Sequence, residues 1–113
     1  MSRKKAADRR VAVGLDDVLA SFRACAPVFG ALGDAHRQDI VLLLAQDERL
    51  NVGQIAERMP LSRPAISHHL KVLLQAGLIA RERVSRENFY VLTLDAGLAD
   101  LRRLVEQAEA SCT

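Results

Sequence analysis

Six polar side chains between residues 62 and 75 are suited to bind a polyanion. They supply hydroxyl, guanidinium, imidazole, ammonium and amide groups: Ser62, Arg63, Ser67, His68, Lys71 and Gln75. At about 100° per residue, the residues after Ser62 share one side of an α-helix, with Arg63 at its edge, and that side has no acid. The opposite side is apolar: Ile66, Leu70, Val72, Leu73 and Ala76. Such a polar side fits the DNA major groove, where base edges offer donors and acceptors, so we predict a recognition helix here.

Local signals mark both ends of this helix. Ser62 can cap the N-terminus, and Pro64 fits the first turn, where backbone N–H groups have no partner within the helix. Leu61 and Ile66 have the spacing of a hydrophobic staple across that cap. Gly77 marks the C-terminal end, since glycine readily adopts the left-handed conformation that ends many helices. The segment after Gly77 is predicted to be a strand that carries arginines.

Positive charge is concentrated in two segments of this 113-residue chain, whose net charge is only +2. Residues 1–10 and residues 62–86 each contain five basic residues and one acidic residue, which gives each segment a net charge of +4. The remainder of the chain therefore has a net charge of −6. The second segment adds Arg83 and Arg86 to the recognition helix, and we predict that they contact phosphate or a minor groove. A single run of charged residues is usually just a solvated surface. Here the positive charge coincides with a helix-turn-helix pattern, which favours nucleic-acid binding.

The other predicted elements are mainly helical. Apolar residues at spacings of three and four predict a helix from 15 to 29, with Pro27 placed to kink or split it, and Asp34 is predicted to cap the next helix. The remaining elements are a short helix at 51–58, strands at 78–84 and 89–94 around a polar turn, and a helix from 98 to 112. We predict a mainly α fold with a small β-hairpin, a winged helix-turn-helix domain at residues 12–113 that follows a flexible basic tail at 1–11.

Three sequence segments together resemble the ArsR-type family of bacterial metal- and stress-responsive repressors. They are FGALGDAHRQDIVLLL from residue 29, VGQIAERMPLSRPAISHHLKVLLQAGLI from residue 52 and FYVL from residue 89. The resemblance implies a homodimer on near-palindromic double-stranded operator DNA, and loss of DNA affinity when an inducer binds. It also implies an interface made by the first and last helices, whose apolar stripes include Val18, Phe22, Leu98, Leu101 and Val105.

The metal sites of that family are not matched by this chain. Where a pair of cysteines precedes the helix-turn-helix in a pattern such as LCVC, this sequence has Leu50, Asn51, Val52 and Gly53. The terminal helix offers carboxylates but no histidine: Asp95, Asp100, Glu106 and Glu109. Carboxylates alone are poor ligands for zinc and softer metals, so we predict no metal site and no cofactor, and the inducer stays unidentified.

The three histidines have different predicted roles. His36 lies in the first turn of its helix and is assigned a surface or capping contact. His68 lies on the polar side of the recognition helix, where DNA contact is favoured over a neutral exposed role. His69 points towards the apolar side, where a hydrogen-bonded packing role competes with phosphate contact. Adjacent histidines cannot both reach one metal in the usual i, i+4 helical geometry.

Two cysteines, Cys25 and Cys112, are the candidates for redox or reactive-sulfur sensing. Each lies on an apolar stripe, in helices that the family uses for dimerisation. Some family members that sense reactive sulfur use a cysteine pair that involves the terminal helix. Their other cysteine, however, lies on the helix after the first, where this chain has Leu42. The alternative is that both cysteines are small packing residues.

An enzyme is not predicted, because the sequence contains no phosphate-cradling glycine loop and no grouped His, Cys and carboxylate residues. The predicted function is a dimeric DNA-binding repressor. The alternatives are a protein-interaction winged helix and a repressor without small-molecule or redox sensing. No apolar stretch approaches the roughly 20 residues that span a bilayer, and no apolar segment follows the basic N-terminus. With two irregularly placed cysteines, we expect a cytoplasmic protein without membrane contact.

Overall fold

The computed structural model describes residues 14–112, so the predicted basic tail at 1–11 lies outside the described residues. In this range, four helices precede a two-stranded antiparallel sheet, and one helix follows it. In chain order the elements are α1 Leu15–Leu32, α2 Ala35–Gln46, α3 Val52–Ala56, α4 Arg63–Gln75, β1 Ile79–Val84, β2 Glu87–Leu92 and α5 Asp95–Cys112. The predicted fold class, mainly α with a small hairpin, is confirmed.

Polar caps begin three of the four helices that precede the hairpin, and the caps at Asp34 and Ser62 are those that the sequence predicts. Asp34 Oδ1 accepts a hydrogen bond of 3.1 Å from the Arg37 amide, and Ser62 Oγ accepts one of 3.3 Å from the Ala65 amide. Asn51 forms a reciprocal capping box with Gln54, with both bonds 2.8 Å long. The chain leaves α4 at Gly77, which has a φ of 74°. The capping bonds at Asp34, Asn51 and Ser62 satisfy backbone N–H groups that otherwise lack a partner in the first turn of each helix.

The structure differs from the predicted elements at Pro27 and at several helix and strand ends. Helix α1 continues unbroken through Pro27, although proline removes one backbone donor from the helix. Helix α3 ends at Ala56 rather than at residue 58, and β2 begins at Glu87, which shortens the hairpin turn to two residues. Within residues 14–112, no single helix is long and apolar enough to cross a membrane, and α1 and α2 meet that test only as a bent pair.

Residues 27–97 form one compact unit, and its core lies beneath the recognition helix. The largest side chains that are almost fully buried there are Val28, Ile40, Ile55, Ile66, Leu70, Leu73 and Leu78. Three of them come from α4, whose apolar side is therefore buried as its periodicity predicts. Burial of one side fixes which residues α4 presents to solvent.

The described parts of a second unit are residues 14–26 and 98–112. Within it, Ser21 Oγ donates a hydrogen bond to Gln107 Oε1, and Cys25 and Leu104 are buried. Large apolar side chains of the same unit are nevertheless exposed: Leu15, Leu19, Phe22, Leu98 and Val105. The predicted interface residues Val18 and Leu101 are half-buried.

Candidate nucleic-acid interface

The polar side of α4 faces solvent along its whole length. All six side chains predicted to contact DNA on this segment are exposed: Ser62, Arg63, Ser67, His68, Lys71 and Gln75. Among the residues that the structure describes, no acid forms a salt bridge with Arg63 or Lys71. Their donors are therefore available to another molecule. Ser62 Oγ accepts a hydrogen bond from the Ala65 amide, and its hydroxyl group can still donate its proton to another molecule.

A polar concavity of about 500 Å³ adjoins the N-terminal half of this face. Its walls come from α3, α4 and the beginning of β2: Asn51, Val52, Gly53, Arg63, Ser67, Glu87, Asn88 and Tyr90. Arg63 and Ser67 were predicted from the sequence, whereas the other wall residues were not. The concavity is open and mostly lined by polar atoms, so it suits a hydrated, polar occupant.

Two hairpin arginines share a sheet face with two of the three hairpin residues that line this concavity. In the antiparallel register, Arg83 lies opposite Asn88 and Arg81 lies opposite Tyr90. Residues directly opposite each other in a sheet have side chains on the same face. Arg81 and Arg83 therefore share a face with two residues that line the concavity, and Arg86 lies in the exposed turn. Arg83 and Arg86 were predicted to belong to the site and Arg81 was not, although the alternation of side chains along a strand places Arg81 on the same face as Arg83.

Three consecutive residues before α3 anchor the hairpin. Leu50 and Tyr90 exchange two backbone hydrogen bonds of 3.1 and 2.8 Å. Asn51 Nδ2 donates to Glu87 Oε1 at 3.0 Å. The guanidinium carbon of Arg49 lies 4.9 Å from the centre of the Phe89 ring. We call Arg49–Asn51 the wing clamp. Nothing in the local sequence pattern predicted it.

Arg37 joins the C-terminal end of α1 to the recognition helix. Its Nε donates to the Ala31 carbonyl at 2.8 Å, and its Nη2 donates to the Gly30 carbonyl at 3.1 Å. Its Nη1 lies 3.0 Å from Nδ1 of His69. Because a guanidinium can only donate, His69 Nδ1 is the acceptor and the neutral ring carries its proton on Nε2. The hydrogen-bonded role considered for His69 is thus present in the structure.

The histidines form a small group at the start of α2 and along α4. The rings of His36 and His68 lie 5.9 and 5.8 Å from that of His69. Burial lowers the pKa of His69 below its ordinary 6.5, and although Asp34 opposes this shift, Arg37 and the two other histidines add to it. Neutral His69 is therefore the form that the folded protein favours. Within residues 14–112, no three His, Cys, Asp or Glu side chains are arranged to hold a metal ion.

The two cysteines have different surroundings. Cys25 is fully buried, and burial raises the pKa of its thiol, with a further rise from Asp100 and an opposing effect of Arg103. Cys112 is exposed near the end of α5, and both thiols are free. A buried, protonated thiol is a poor nucleophile. The arrangement leaves Cys112 as the more accessible of the two.

Comparison with known proteins identifies the family. The model of the family described as "Bacterial regulatory protein, arsR family" matches residues 34–81, which include α2, α3, α4 and the start of β1. The HTH-type transcriptional regulator Rv2034 of Mycobacterium tuberculosis is 39% identical over 84 residues, or 74% of this chain and 77% of the relative. The chain belongs to the arsR family of bacterial regulatory proteins. It is thus a DNA-binding transcriptional regulator and not an enzyme.

Solved structures of transcriptional regulators share the fold. The ArsR-like transcriptional regulator from Rhodococcus sp. RHA1 matches with a TM-score of 0.72 and 33% identity, over 81% of this chain and 83% of that one. The transcriptional repressor CouR, solved bound to a 23-mer DNA duplex, matches with a TM-score of 0.53 and 25% identity, over 84% and 72% of the two chains. The order of helices and hairpin is that of arsR-type winged helix-turn-helix proteins.

Proposed function

We propose that this arsR-family regulator is a dimeric repressor that reads its operator through the exposed side of α4 and holds the DNA backbone through the hairpin. The observation that carries the proposal is the acid-free, solvent-facing row on α4, part of which lines a polar concavity, together with three exposed arginines on the hairpin. Arg81, Arg83 and Arg86 add positive charge where a duplex in contact with α4 would also meet the wing. We place the protein in the cytoplasm, where bacterial operators are found.

Base reading is assigned to Arg63, Ser67, His68 and Lys71, with Gln75 furthest along the helix. Arg63 is the candidate for a bidentate bond to guanine, a contact that typically contributes about 1–3 kcal/mol of discrimination. We expect Arg63→Ala and His68→Ala each to relax the preference at one operator position, measured on duplexes selected from a random library. Arg102→Ala is the matched control, since it removes an exposed charge from α5. Unchanged affinity and preference in both α4 variants would refute this assignment.

Backbone contact is assigned to Arg83 and Arg86, and the shared sheet face adds Arg81. Phosphate contacts release counterions, so each one lost should reduce the salt dependence of binding by a slope of about 0.9. Arg86→Ala should therefore weaken binding to many sequences alike and flatten the plot of log affinity against log salt. An altered sequence preference at an unchanged slope would instead assign Arg86 to base reading.

Dimerisation is proposed through α1 and α5. Phe22, Leu98 and Val105 are 49%, 40% and 54% exposed, and large apolar side chains left exposed on helices are commonly covered by a partner subunit. Leu101→Glu should give monomers in sedimentation velocity, and these should bind the operator weakly because only one half-site is engaged. Leu42→Glu, an exposed leucine on α2, is the matched control. A monomeric wild type at micromolar concentration would contradict the proposal.

The cysteines decide between a redox-released repressor and one without thiol sensing. Disulfide formation between Cys25 and Cys112 would transfer two electrons and two protons to an oxidant such as peroxide, and it requires Cα atoms within about 7 Å. Burial and a raised pKa favour the packing role for Cys25. We therefore expect peroxide-treated protein to keep its operator affinity. Release on oxidation that either Cys25→Ser or Cys112→Ser abolishes would establish the thiol switch.

A protein-interaction role for the winged helix is the alternative from another class. A protein surface would need to complement a cationic, acid-free face, and non-specific acidic peptides would then compete with DNA. We expect a random duplex, but not polyglutamate of equal charge, to compete for binding at 0.15 M salt. Equal competition by both polymers would remove the argument for nucleic acid.

A further inference from the structure

Gly53 lies in the first turn of α3, on the wall of the polar concavity. A Cβ at this position would lie 3.3 Å from Nη2 of Arg63 and 3.6 Å from Cζ of the same side chain. It would also lie 3.5 Å from Oδ1 of Asn51, which already accepts from the Gln54 amide. The missing side chain is thus replaced, in the structure, by the guanidinium of a residue ten positions later.

The backbone does not require glycine at position 53. Among the glycines that the structure describes, Gly77 is the one with a positive φ. Gly53 lies inside helix α3 and does not have a positive φ. Glycine is a poor helix former, and α3 contains only five residues. Local stability would therefore favour alanine at this position. The contact with Arg63 is the feature of the site that uses the absence of a side chain.

We propose that Gly53 is a positioning residue for Arg63. The space at Gly53 lets the Arg63 guanidinium lie against the first turn of α3, and this placement determines which base the arginine reaches. The inference rests on the proposed reading of the operator by α4 and adds a determinant of specificity that does not itself touch a base. Arg63 lies at the edge of the polar side of α4, so a small displacement of its guanidinium changes its direction relative to the groove.

The test is a size series at position 53, Gly53→Ala and Gly53→Leu. Alanine and leucine are both strong helix formers, so neither should lower the unfolding temperature. Each should displace the flexible end of Arg63, and leucine should do so further. We expect the preference at one operator position to change about threefold with alanine and about tenfold with leucine, while other positions keep theirs. The measurement is the affinity for duplexes that vary one base pair at a time around the sequence that the wild type selects.

Gly30→Ala is the matched control. Gly30 also lies inside a helix, but a Cβ there would meet nothing within 4 Å. The same change of residue type therefore occurs without displacing a neighbour. This variant should gain helix propensity and keep the wild-type preference at every operator position.

A double-mutant cycle identifies the route of the effect. If Gly53 acts through Arg63, Gly53→Leu should change nothing further in an Arg63→Ala background. Loss of preference in Arg63→Ala with wild-type preference in both Gly53 variants would overturn the positioning role and leave the proposed function intact. Wild-type preference in Arg63→Ala would overturn the positioning role together with the base contact assigned to Arg63, and His68→Ala would then decide whether α4 reads the operator.

Discussion

The recognition helix and the hairpin both carry exposed basic side chains, but different interactions hold the two elements in place. Helix α4 rests on Ile66, Leu70 and Leu73, all of which are almost fully buried. The hairpin is held at its base by the Leu50–Tyr90 backbone pair, and further out by side chains of the wing clamp. Apolar burial thus supports the helix, and hydrogen bonds support much of the wing.

This difference suits the roles proposed for the two elements. Reading a base edge requires a side chain to be placed within the tolerance of a hydrogen bond, and a densely packed core provides that rigidity. Contact with phosphate tolerates more movement, because the charge interaction is less directional. Damage to the support of each element should therefore have different consequences, and four changes test this.

The largest effect is expected from Ile66→Ala beneath α4. Removing a fully buried aliphatic side chain of this size costs about 2–5 kcal/mol, because the cavity adds to the lost transfer free energy. Urea denaturation should show a lower midpoint. Gln75→Ala on the exposed side of the same helix is the control and should stay within about 0.5 kcal/mol of wild type. A loss below about 1 kcal/mol in Ile66→Ala would show that the core is not the main support of α4.

The next change, Asn51→Ala, removes both an N-cap and the tie to Glu87. Loss of an N-cap costs about 0.5–2 kcal/mol. Asn51→Ser is the matched variant, because serine caps well but its short hydroxyl cannot replace the amide donor to Glu87. We expect serine to restore stability, whereas both variants should lower the affinity for random duplexes in a binding titration. Full DNA affinity in Asn51→Ser would show that the tie does not position the wing.

A pH-dependent change is expected at His69. Its folded-state pKa is lowered below 6.5, mainly by burial, so the unfolded chain binds more protons as the pH falls through 6.5. Stability should therefore be complete above 6.5 and decrease below it, until the folded-state pKa is also passed. Asp34, Arg37, His36 and His68 are the charged or titratable groups that act on His69. The pKa of Asp34 is lowered mainly by the hydrogen bond from the Arg37 amide. This shift affects stability in a separate pH range, below the ordinary pKa of 3.8.

His69→Asn separates the titration from the hydrogen bond. The Asn Oδ1 can accept from Arg37 in the place of Nδ1, but the amide does not titrate. We expect this variant to keep its stability at pH 7.5 and to lose the decline between pH 6.5 and 5. Thermal unfolding across this range is the measurement, and an unchanged decline would show that His69 is not the group responsible.

The smallest effect is expected at the tip of the wing. Ser85 has a φ of 58°, in the left-handed region that L-residues avoid and glycine enters freely. Ser85→Gly should raise the unfolding free energy by about 0.5 kcal/mol or less once the greater chain entropy of glycine is subtracted. Operator preference should stay unchanged. A loss of stability would show that the serine side chain contributes more than the backbone strain costs.

Much of the fold was predicted from the sequence, because its signals are local. The caps at Asp34 and Ser62 and the glycine after α4 act on backbone groups within a few residues. The burial of one side of α4 follows from a period of 3.6 residues. The same periodicity placed Arg63, Ser67, His68 and Lys71 on the exposed side, which the structure has. The family resemblance, which rests on the residue types themselves, was also confirmed.

The tertiary structure alone decided how these elements are joined at the interface. The wing clamp pairs Asn51 with Glu87 across 36 positions, and Arg37 meets His69 across 32. The contact of Gly53 with Arg63 likewise depends on how α3 packs against α4. A residue's periodicity states which side of its own element it occupies, but not which distant residue it will meet. Which distant residues come into contact depends on the packing of the whole core, where many individually weak contacts form together.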